Sequence, residues 1–237
     1  MTLAPEVSFV IPVFNEEAIL HAAVVDLRER LAPLNLSYEL ILAENGSRDA
    51  TAEIARRLGA RYPELRLVHF AEPNYGAALR QGILSARGTW VICEEIDLCD
   101  VDFHVQALAL LRAGSADFVI GSKLIGGARD ERPLLRHGAS QLYTGLLHAL
   151  FDFRGTDTHG LKAFRRTRVT PIVETCQIER DVFASELVIR AYREQLRIVE
   201  IPVRVLEKRP PSINLIRRVP NVVKNLAQLF WAIRVKG

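Results

Sequence analysis

Three acidic side chains follow a short apolar run near the middle of the chain. Residues 90–93 are apolar, and Glu94, Glu95 and Asp97 come directly after them. The run predicts a buried strand that carries these carboxylates to its C-terminal end, where α/β sheets bind their ligands. Glu95 and Asp97 can turn together towards one hard cation, and oxygen-only ligands suit Mg²⁺ or Mn²⁺ rather than zinc. A solvated acidic loop is the alternative interpretation.

The segments around this run predict an α/β fold. Strand, polar loop and helix alternate four times, which predicts a mostly parallel, Rossmann-like sheet with helices on both faces and its polar loops gathered at one edge. Two further strands are expected, the second an edge strand that contains Pro202. The predicted strands are residues 7–13, 38–43, 65–70, 90–93, 118–120 and 196–205. The predicted helices include residues 18–31, 137–151, 187–192 and 221–234.

Composition indicates one globular domain. The 237 residues, 49% apolar and 25% charged, are enough for one sizeable core. No stretch reaches the roughly 18 apolar residues of a membrane span, and the N-terminus lacks a signal-peptide pattern, so we expect a cytosolic protein. The cysteines, Cys93, Cys99 and Cys176, form no CxxC pair, and we expect free thiols.

The C-terminal tail carries the positive charge of the protein. Residues 201–237 hold eight basic residues and one acid, whereas residues 1–200 have a net charge of −4. Such a tail can bind a substrate phosphate, an anionic membrane surface or nucleic acid. Nucleic-acid binding is typically accompanied by aromatic residues among the charges, but Phe230 and Trp231 stand together near the end. We therefore expect no nucleic-acid partner.

Two predicted helices are candidates for contact with a membrane surface. Helix 137–151 is more apolar than a small packing face requires, so it either covers the sheet or rests on lipid. One side of helix 221–234 carries Leu226, Leu229, Phe230 and Ile233. Anionic headgroups would be contacted by Arg217, Arg218, Lys224, Arg234 and Lys236. The alternatives are that the tail helix packs on the same protein or forms a homo-oligomer interface.

Seven motifs follow one another along most of the chain. They are FVIPVFNEE, ENGSRDAT, NYGAALRQG, EEIDL, GSK, DTHGLKAFRR and IVEIPV. In this order they resemble the family 2 glycosyltransferases, specifically the polyprenyl-phosphate (dolichol-phosphate) sugar synthases, over residues 7–213. The resemblance implies a GT-A domain in residues 1–213, which binds a nucleotide-sugar at the C-terminal edge of its sheet. A basic amphipathic helix would follow in residues 214–237.

The resemblance also implies which residues bind the donor. The nucleoside end of the site would comprise Pro12, Phe14, Glu16, Glu44 and Asn45, with the asparagine in place of a frequent aspartate. Glu95 and Asp97 match the acidic pair that holds Mg²⁺ or Mn²⁺ on the pyrophosphate, and Glu95 reaches one methylene further than the usual aspartate. Cys99, where an amide ligand is common, is a poor ligand for a hard cation, and Asp100 is a candidate replacement.

On the acceptor side, the resemblance implies a site for a lipid phosphate made by Lys123, Arg136 and Ser140. Arg136 and Ser140 are four residues apart and would share one helix face. Arg209 and Ser212 match a segment that closes over the pyrophosphate. Asp157 would lie beside the sugar, so the implied catalytic residues are Asp97, Asp157 and Arg209.

The implied function is that of an inverting glycosyltransferase. It would move a sugar from a nucleoside diphosphate to a polyprenyl phosphate while bound peripherally to the cytosolic face of a membrane. A phosphate acceptor, with a second pKa of about 6, is already an anion and needs no strong base. The alternatives are a catalytically silent GT-A domain that binds nucleotide or lipid phosphate, and a glycosyltransferase with a soluble hydroxyl acceptor.

Overall fold

A seven-stranded mixed sheet forms the centre of the computed structural model, which describes residues 4–130, 134–180, 182–205 and 219–236. The strands are β1 (Val7–Val13), β2 (Tyr38–Asn45), β3 (Leu65–Phe70), β4 (Trp90–Cys93), β5 (Phe118–Ser122), β6 (Arg129–Asp130), β7 (Lys162–Arg165), β8 (Ile198–Pro202) and β9 (Arg204–Val205). The main sheet has the order β3-β2-β1-β4-β7-β5-β8. Strand β7 is antiparallel to both neighbours, and the other pairs are parallel. Strands β6 and β9 form a separate parallel pair.

Helices cover both faces of this sheet. They are α1 (Leu20–Leu31), α2 (Thr51–Arg61), α3 (Tyr75–Ser85), α4 (Val101–Arg112), α5 (Leu134–Phe151), α6 (Arg166–Thr175), α7 (Phe183–Arg193) and α8 (Val219–Phe230), with a π-helical turn at Trp231–Val235. One apolar core contains side chains of α1, α2 and α4, and the other contains side chains of α3, α5, α6, α7 and α8. The predicted α/β architecture with helices on both faces is confirmed.

The central strands are apolar on both sides because each side meets a layer of helices. In β1, Phe9 belongs to one core and Val10 to the other, and in β2 the same alternation separates Leu40 from Ile41. All four side chains are fully buried. Strands covered in this way read as continuous apolar runs rather than alternating ones, which is why these runs were recognisable in the sequence.

The second half of the sheet differs from the prediction. Strand β7 was not predicted, because its four residues begin with Lys162 and end with Arg165. The predicted strand 196–205 is divided, since β8 forms the edge of the main sheet whereas β9 pairs with β6. Pro202 ends β8 at that edge, as expected for a residue that lacks a backbone donor.

The C-terminal helix packs on the rest of the protein. Leu229 and Ile233 are buried in the same core as Leu147 of α5, and Leu226 packs against that core. The prediction that this side of the helix faces lipid is therefore wrong for these three tail residues, while Phe230 remains 45% exposed. The boundary predicted at residue 213 stays a prediction. Among the described residues, no helix combines the length and the apolar character that crossing a bilayer requires.

Candidate functional site

One edge of the sheet gathers the loops that carry the predicted site residues. Strands β1, β2 and β4 are parallel, so their C-terminal ends lie at the same edge. Strand β5 points the same way as β4, because both are antiparallel to β7. The reversed direction of β7 places its N-terminal end at this edge as well, together with the preceding loop 155–160. The sheet topology therefore brings residues from distant parts of the sequence into one site.

An open pocket of about 170 Å³ lies at this edge. Its polar walls are formed by Glu95, Asp97, Lys123, Asp157 and His159. The remaining lining residues are Leu98, Gly121, Gly160, Leu161 and Val203. The predicted acidic pair, the predicted phosphate-binding lysine and the predicted sugar-side aspartate thus share one cavity.

Asp157 and Lys123 form an ion pair in the wall of the pocket. The lysine Nζ donates to Oδ2 of Asp157 at 2.8 Å, and the backbone N–H of His159 donates to Oδ1 at 2.8 Å. Asp157 is 3% exposed. Burial alone would raise the pKa of Asp157, but the charge of Lys123 and these hydrogen bonds outweigh it and lower that pKa. The carboxylate is therefore charged and fixed in orientation.

The loop that carries Asp157 is anchored to two other elements, β8 and α5. Glu200 of β8 accepts a hydrogen bond from the backbone N–H of Thr156 at 2.7 Å and another from the Thr156 hydroxyl. From α5, Thr144 donates to the carbonyl of Thr156 at 3.0 Å, and His148 donates to the carbonyl of Gly155 at 2.7 Å. Glu200 was not among the predicted site residues, although the motif IVEIPV contains it.

Two basic groups lie next to the acidic residues, and of these Lys162 is buried whereas His159 is exposed. Lys162 is 4% exposed, and its Nζ donates to the carbonyl of Gly160 at 2.6 Å. Burial lowers the pKa of Lys162, and the neighbouring Cys93, Asp157 and Glu95 oppose that shift. Desolvation by the surrounding protein, followed by the charge of Lys162, lowers the pKa of His159 to about 4, so its imidazole is neutral at pH 7.

The acidic pair has the chemistry of a hard-cation site. The surrounding protein displaces water from Glu95, and this desolvation, followed by the charge of Asp97, raises the pKa of Glu95. A cation between the two carboxylates would relieve their repulsion. The described residues contain no cluster of three or more His, Cys, Asp or Glu side chains placed for a metal. Two carboxylates completed by diphosphate oxygens and water are nevertheless a usual Mg²⁺ environment, so the donor set fits Mg²⁺ or Mn²⁺.

The loop after the acidic pair turns back on itself. The backbone N–H groups of Leu98 and Cys99 donate to the carbonyl of Glu95 at 2.9 and 3.3 Å, and Cys99 has a φ of 39°. The Cys99 thiol is buried 3.7 Å from the carbonyl oxygen of Glu95. Asp100 accepts the backbone N–H of Phe103 at 3.1 Å and so caps α4. Asp100 therefore serves the helix rather than standing free as a replacement ligand.

Glu44 and Asn45, at the end of β2, are buried and bonded within the protein. Glu44 accepts the backbone N–H of Ser47 at 2.6 Å, and its other oxygen contacts Nδ1 of His69. Burial would raise the pKa of Glu44, but the hydrogen bonds from Ser47 and His69 outweigh it and lower that pKa. The side-chain oxygen of Asn45 accepts the backbone N–H of Asn74. Both residues thus shape the loops around the predicted nucleoside site, and direct contact with a base stays a prediction.

Reciprocal hydrogen bonds join the loops after β1 and β2. The backbone N–H of Asn15 donates to Oγ of Ser47 at 2.9 Å, and the backbone N–H of Arg48 donates to Oδ1 of Asn15 at 2.9 Å. The backbone N–H of Glu16 donates to Oγ1 of Thr51 at 2.7 Å. The sequence analysis did not foresee this network, because its partners are more than 30 residues apart.

The other predicted residues are placed as follows. Pro12 pairs with Ala43 in the sheet, and Phe14 in the next loop is 40% exposed, so both lie at the same edge as the acidic pair. Ser140 is half-buried on α5, the helix that also carries Arg136. The side chain of Arg136 and the whole of Arg209 and Ser212 lie outside the part of the chain that the structure describes. Their roles stay predictions.

Comparison with known proteins identifies relatives along nearly the whole chain. The family model described as Glycosyl transferase family 2 matches residues 8–169. Glycosyltransferase AglD of Haloferax volcanii is 29% identical over 238 residues, which covers 98% of this chain and 38% of AglD. A dolichyl-phosphate beta-glucosyltransferase of Drosophila melanogaster is 30% identical over 222 residues, which covers 85% of this chain and 67% of the Drosophila protein. The low-salt glycan biosynthesis hexosyltransferase Agl6 of Haloferax volcanii is 28% identical, and the match covers 85% of this chain and 48% of Agl6. The chain therefore spans less than half the length of either Haloferax relative.

Solved structures show the same fold. Glucosyl-3-phosphoglycerate synthase from Mycobacterium tuberculosis, in complex with Mn²⁺, uridine diphosphate and glucosyl-3-phosphoglycerate, matches with a TM-score of 0.67. The match covers 95% of this chain and 80% of the synthase at 20% sequence identity. An identity this low concerns the fold alone. The GT-A fold expected from the motifs is confirmed.

Proposed function

The chain belongs to glycosyl transferase family 2, and from this we propose that it transfers a sugar from a nucleoside diphosphate to a polyprenyl phosphate. The single observation that carries the proposal is the shared pocket. It places the acidic pair Glu95 and Asp97 in one cavity with the Lys123–Asp157 ion pair. The proposed cation site for the diphosphate of the donor and the cationic side chain proposed to bind the phosphate of the acceptor would thus be side by side.

The proposed chemistry needs positioning more than proton transfer. An oxygen of the acceptor phosphate attacks the anomeric carbon, the bond to the diphosphate breaks, and the nucleoside diphosphate leaves with the bonding electrons. Glu95 and Asp97 would hold a divalent cation, which when bound neutralises charge on the leaving diphosphate. Lys123 would bind the acceptor phosphate while Asp157 fixes the position of its ammonium group. Because the acceptor is already an anion, no residue has to remove a proton from it.

The acceptor class is supported by relatives and by the exposed surface. Dolichyl-phosphate beta-glucosyltransferases are relatives at 26–30% identity, and their names specify a lipid phosphate. Helix α5, which holds the Asp157 loop through Thr144 and His148, exposes Leu142 and Leu146 on its other side. An exposed apolar surface on the helix that holds the Asp157 loop is suited to a lipid substrate.

A turnover assay tests the proposal. Purified protein is incubated with a panel of nucleoside diphosphate sugars, Mg²⁺ or Mn²⁺, and one of three acceptors: a short polyprenyl phosphate, 3-phosphoglycerate or an unphosphorylated alcohol. We expect transfer to the polyprenyl phosphate, and transfer only to one of the other acceptors would overturn the acceptor class. No transfer with any donor would favour a silent domain that only binds nucleotide.

Asp97→Asn tests the cation assignment within the same assay. Removing one carboxylate weakens the hold on the cation that stabilises the leaving diphosphate, and we expect turnover to fall by about 10³-fold. Asp102→Asn is the matched control, because Asp102 is an exposed acid in the first turn of α4. Near-wild-type turnover in Asp97→Asn, with Asp102→Asn unchanged, would refute the assignment.

We further propose that the protein binds peripherally to an anionic membrane surface. The exposed apolar side chains of α5 and the C-terminal helix are Leu142, Leu146, Val223, Phe230, Trp231 and Val235. Lys224 and Lys236 are exposed near them in sequence, whereas Arg234 is bonded to Asp152 at 2.7 Å. Each exposed lysine near an anionic surface would add about 1 kcal/mol, and salt would screen that contribution.

Co-sedimentation with vesicles that contain anionic lipid tests this surface. We expect binding that weakens at high salt and falls in the double variant Leu142→Ser/Trp231→Ser. Val105→Ser is the matched control, since Val105 is 47% exposed on α4, which covers the other face of the sheet. Equal binding by all three proteins would remove α5 and the tail from the membrane interface.

A further inference from the structure

A buried acid–histidine pair joins the two ends of the loop that carries Glu95 and Asp97. Glu94 is the first residue after β4, and His104 lies ten residues later in the first turn of α4. Nε2 of the histidine contacts Oε1 of the glutamate, and neither side chain has any exposed surface. From the sequence, Glu94 was only one more acid of the cluster.

This pair lies in apolar surroundings and is incompletely satisfied. The ring of Phe9 is centred 5.0 Å from the imidazole of His104, and the ring of Phe103 is 6.4 Å away. Within the described part of the chain, Oε2 of Glu94 and Nδ1 of His104 have no hydrogen-bond partner. Burying unpaired polar atoms costs free energy, and apolar side chains of similar volume are often as stable or more stable at such a site. Stability therefore does not explain why these two residues are here.

Their position in the loop suggests another role. The backbone N–H of Glu94 donates to the carbonyl of Val10 at 2.9 Å, which fixes the start of the loop to β1. The backbone N–H of His104 donates to the carbonyl of Asp100 at 3.1 Å, which fixes its end within α4. The side-chain contact between Glu94 and His104 connects these two fixed points, and both proposed cation ligands lie between them. A change in the distance between β4 and α4 would alter the spacing of the two carboxylates.

We propose that Glu94 and His104 are positioning residues, whose contact holds the loop in the form in which Glu95 and Asp97 converge on one divalent cation. The inference rests on the proposed function, because that function assigns the cation to this loop. Neither residue touches the cation. Their contribution is to restrict the conformations of the loop before the cation binds. Binding of the cation then does not have to offset the entropy cost of ordering the two ligands.

The test compares cation affinity with stability. Mn²⁺ is titrated into the protein with uridine diphosphate present, and in a parallel series with guanosine diphosphate, while the electron paramagnetic resonance signal of free Mn²⁺ is followed. In the double variant Glu94→Leu/His104→Leu we expect a thermal midpoint equal to or above that of the wild type. We expect its dissociation constant for Mn²⁺ to rise about tenfold, at the low end of the effects of residues that support metal ligands.

Two single variants complete the series. Glu94→Gln retains the shape of the side chain and one hydrogen bond to His104, so we expect a smaller loss of affinity than in the double variant. Glu39→Gln is the matched control, because Glu39 is a buried acid in β2 that bonds to Ser8, Arg66 and Arg87. We expect this control to lower the thermal midpoint without changing the affinity for Mn²⁺.

The outcomes separate this inference from the proposed function. Wild-type affinity in the double variant would overturn the positioning role while leaving the cation site intact. An equal loss of affinity in Glu39→Gln would also overturn it, because the loss would then follow general stability. If the wild-type protein binds no Mn²⁺ with either nucleotide, the cation site itself fails, and the inference fails with it.

Discussion

The ion pair between Asp157 and Lys123 leads to a prediction about the stability of the protein that can be tested without a substrate. Their side chains are 4% and 12% exposed, so water screens the 2.8 Å contact only weakly. At an effective dielectric constant of about 20, two charges roughly 4 Å apart attract each other by about 4 kcal/mol. Asp157→Asn removes that attraction and leaves Lys123 beside the buried Lys162, although the amide oxygen can still accept the N–H of His159.

We therefore expect Asp157→Asn to lower the free energy of unfolding by about 3 kcal/mol, at the low end of the cost of breaking a buried pair. For a chain of this size, that loss corresponds to a fall of about 6–12 °C in the thermal midpoint. Adding Lys123→Met removes the orphaned charge and its repulsion of Lys162. We expect the double variant to recover about 2 kcal/mol relative to the sum of the two single changes.

Urea denaturation of the wild type, both single variants and the double variant measures this coupling. Asp152→Asn is the control for a change of charge, because the Asp152 side chain is 81% exposed and its pairing with Arg234 should contribute little. Additive effects of Asp157→Asn and Lys123→Met would refute the reasoning, since they would mean that the two side chains do not depend on each other in the folded protein.

Two further changes test how particular contacts stabilise the fold. Hydrogen bonds from Ser8, Arg66 and Arg87 outweigh burial and lower the pKa of Glu39 in the folded protein. The Glu39 carboxylate therefore stabilises the fold at pH values above its unfolded pKa of about 4.3. This stabilisation is lost as the pH falls through the lower pKa of the folded state. Urea denaturation should give Glu39→Gln a free energy of unfolding about 2 kcal/mol lower than that of the wild type at pH 7, and this difference should shrink at more acid pH. A difference that does not change with pH would contradict the lowered pKa of Glu39. Gly160→Ala would place a Cβ 1.8 Å from the carbonyl oxygen of Gly121 and should cost about 1–3 kcal/mol. Gly145→Ala adds a Cβ that meets no atom of the described residues within 4 Å apart from its own stretch of helix, so this change should be neutral or up to about 1 kcal/mol stabilising. Equal midpoints for the two alanine variants would refute the steric argument.

The strands in the first half of the sheet could be predicted because the local sequence pattern of each one is typical of a strand. Strands β1, β3 and β4 have the predicted bounds, and β2 extends two residues further than expected to Asn45. The apolar runs in β1, β2 and β4 are buried on both sides, so composition alone separates them from the polar loops, whereas the edge strand β3 is mostly half-buried. Strand β7 carries no such signal, because Lys162 and Arg165 flank only two apolar residues. Its place between β4 and β5 depends on pairing with residues 42 to 75 positions earlier in the chain.

In the candidate site as well, residues that depend on the local sequence could be predicted, whereas contacts between distant parts of the chain could not. Glu95 and Asp97 could be found from their spacing, because cation ligation depends on residue type and separation along a short loop. The contacts that hold Glu44 to His69 and Thr156 to Glu200 could not be found in this way, since each joins residues 25 or 44 positions apart. They arise only after the sheet has placed β2 beside β3 and the reversed β7 beside β5. The reversal of β7 is the decisive step, because it turns loop 155–160 towards the C-terminal edge and sets Asp157 against Lys123. A sheet that was parallel throughout would leave this aspartate at the opposite edge, far from the carboxylates of β4.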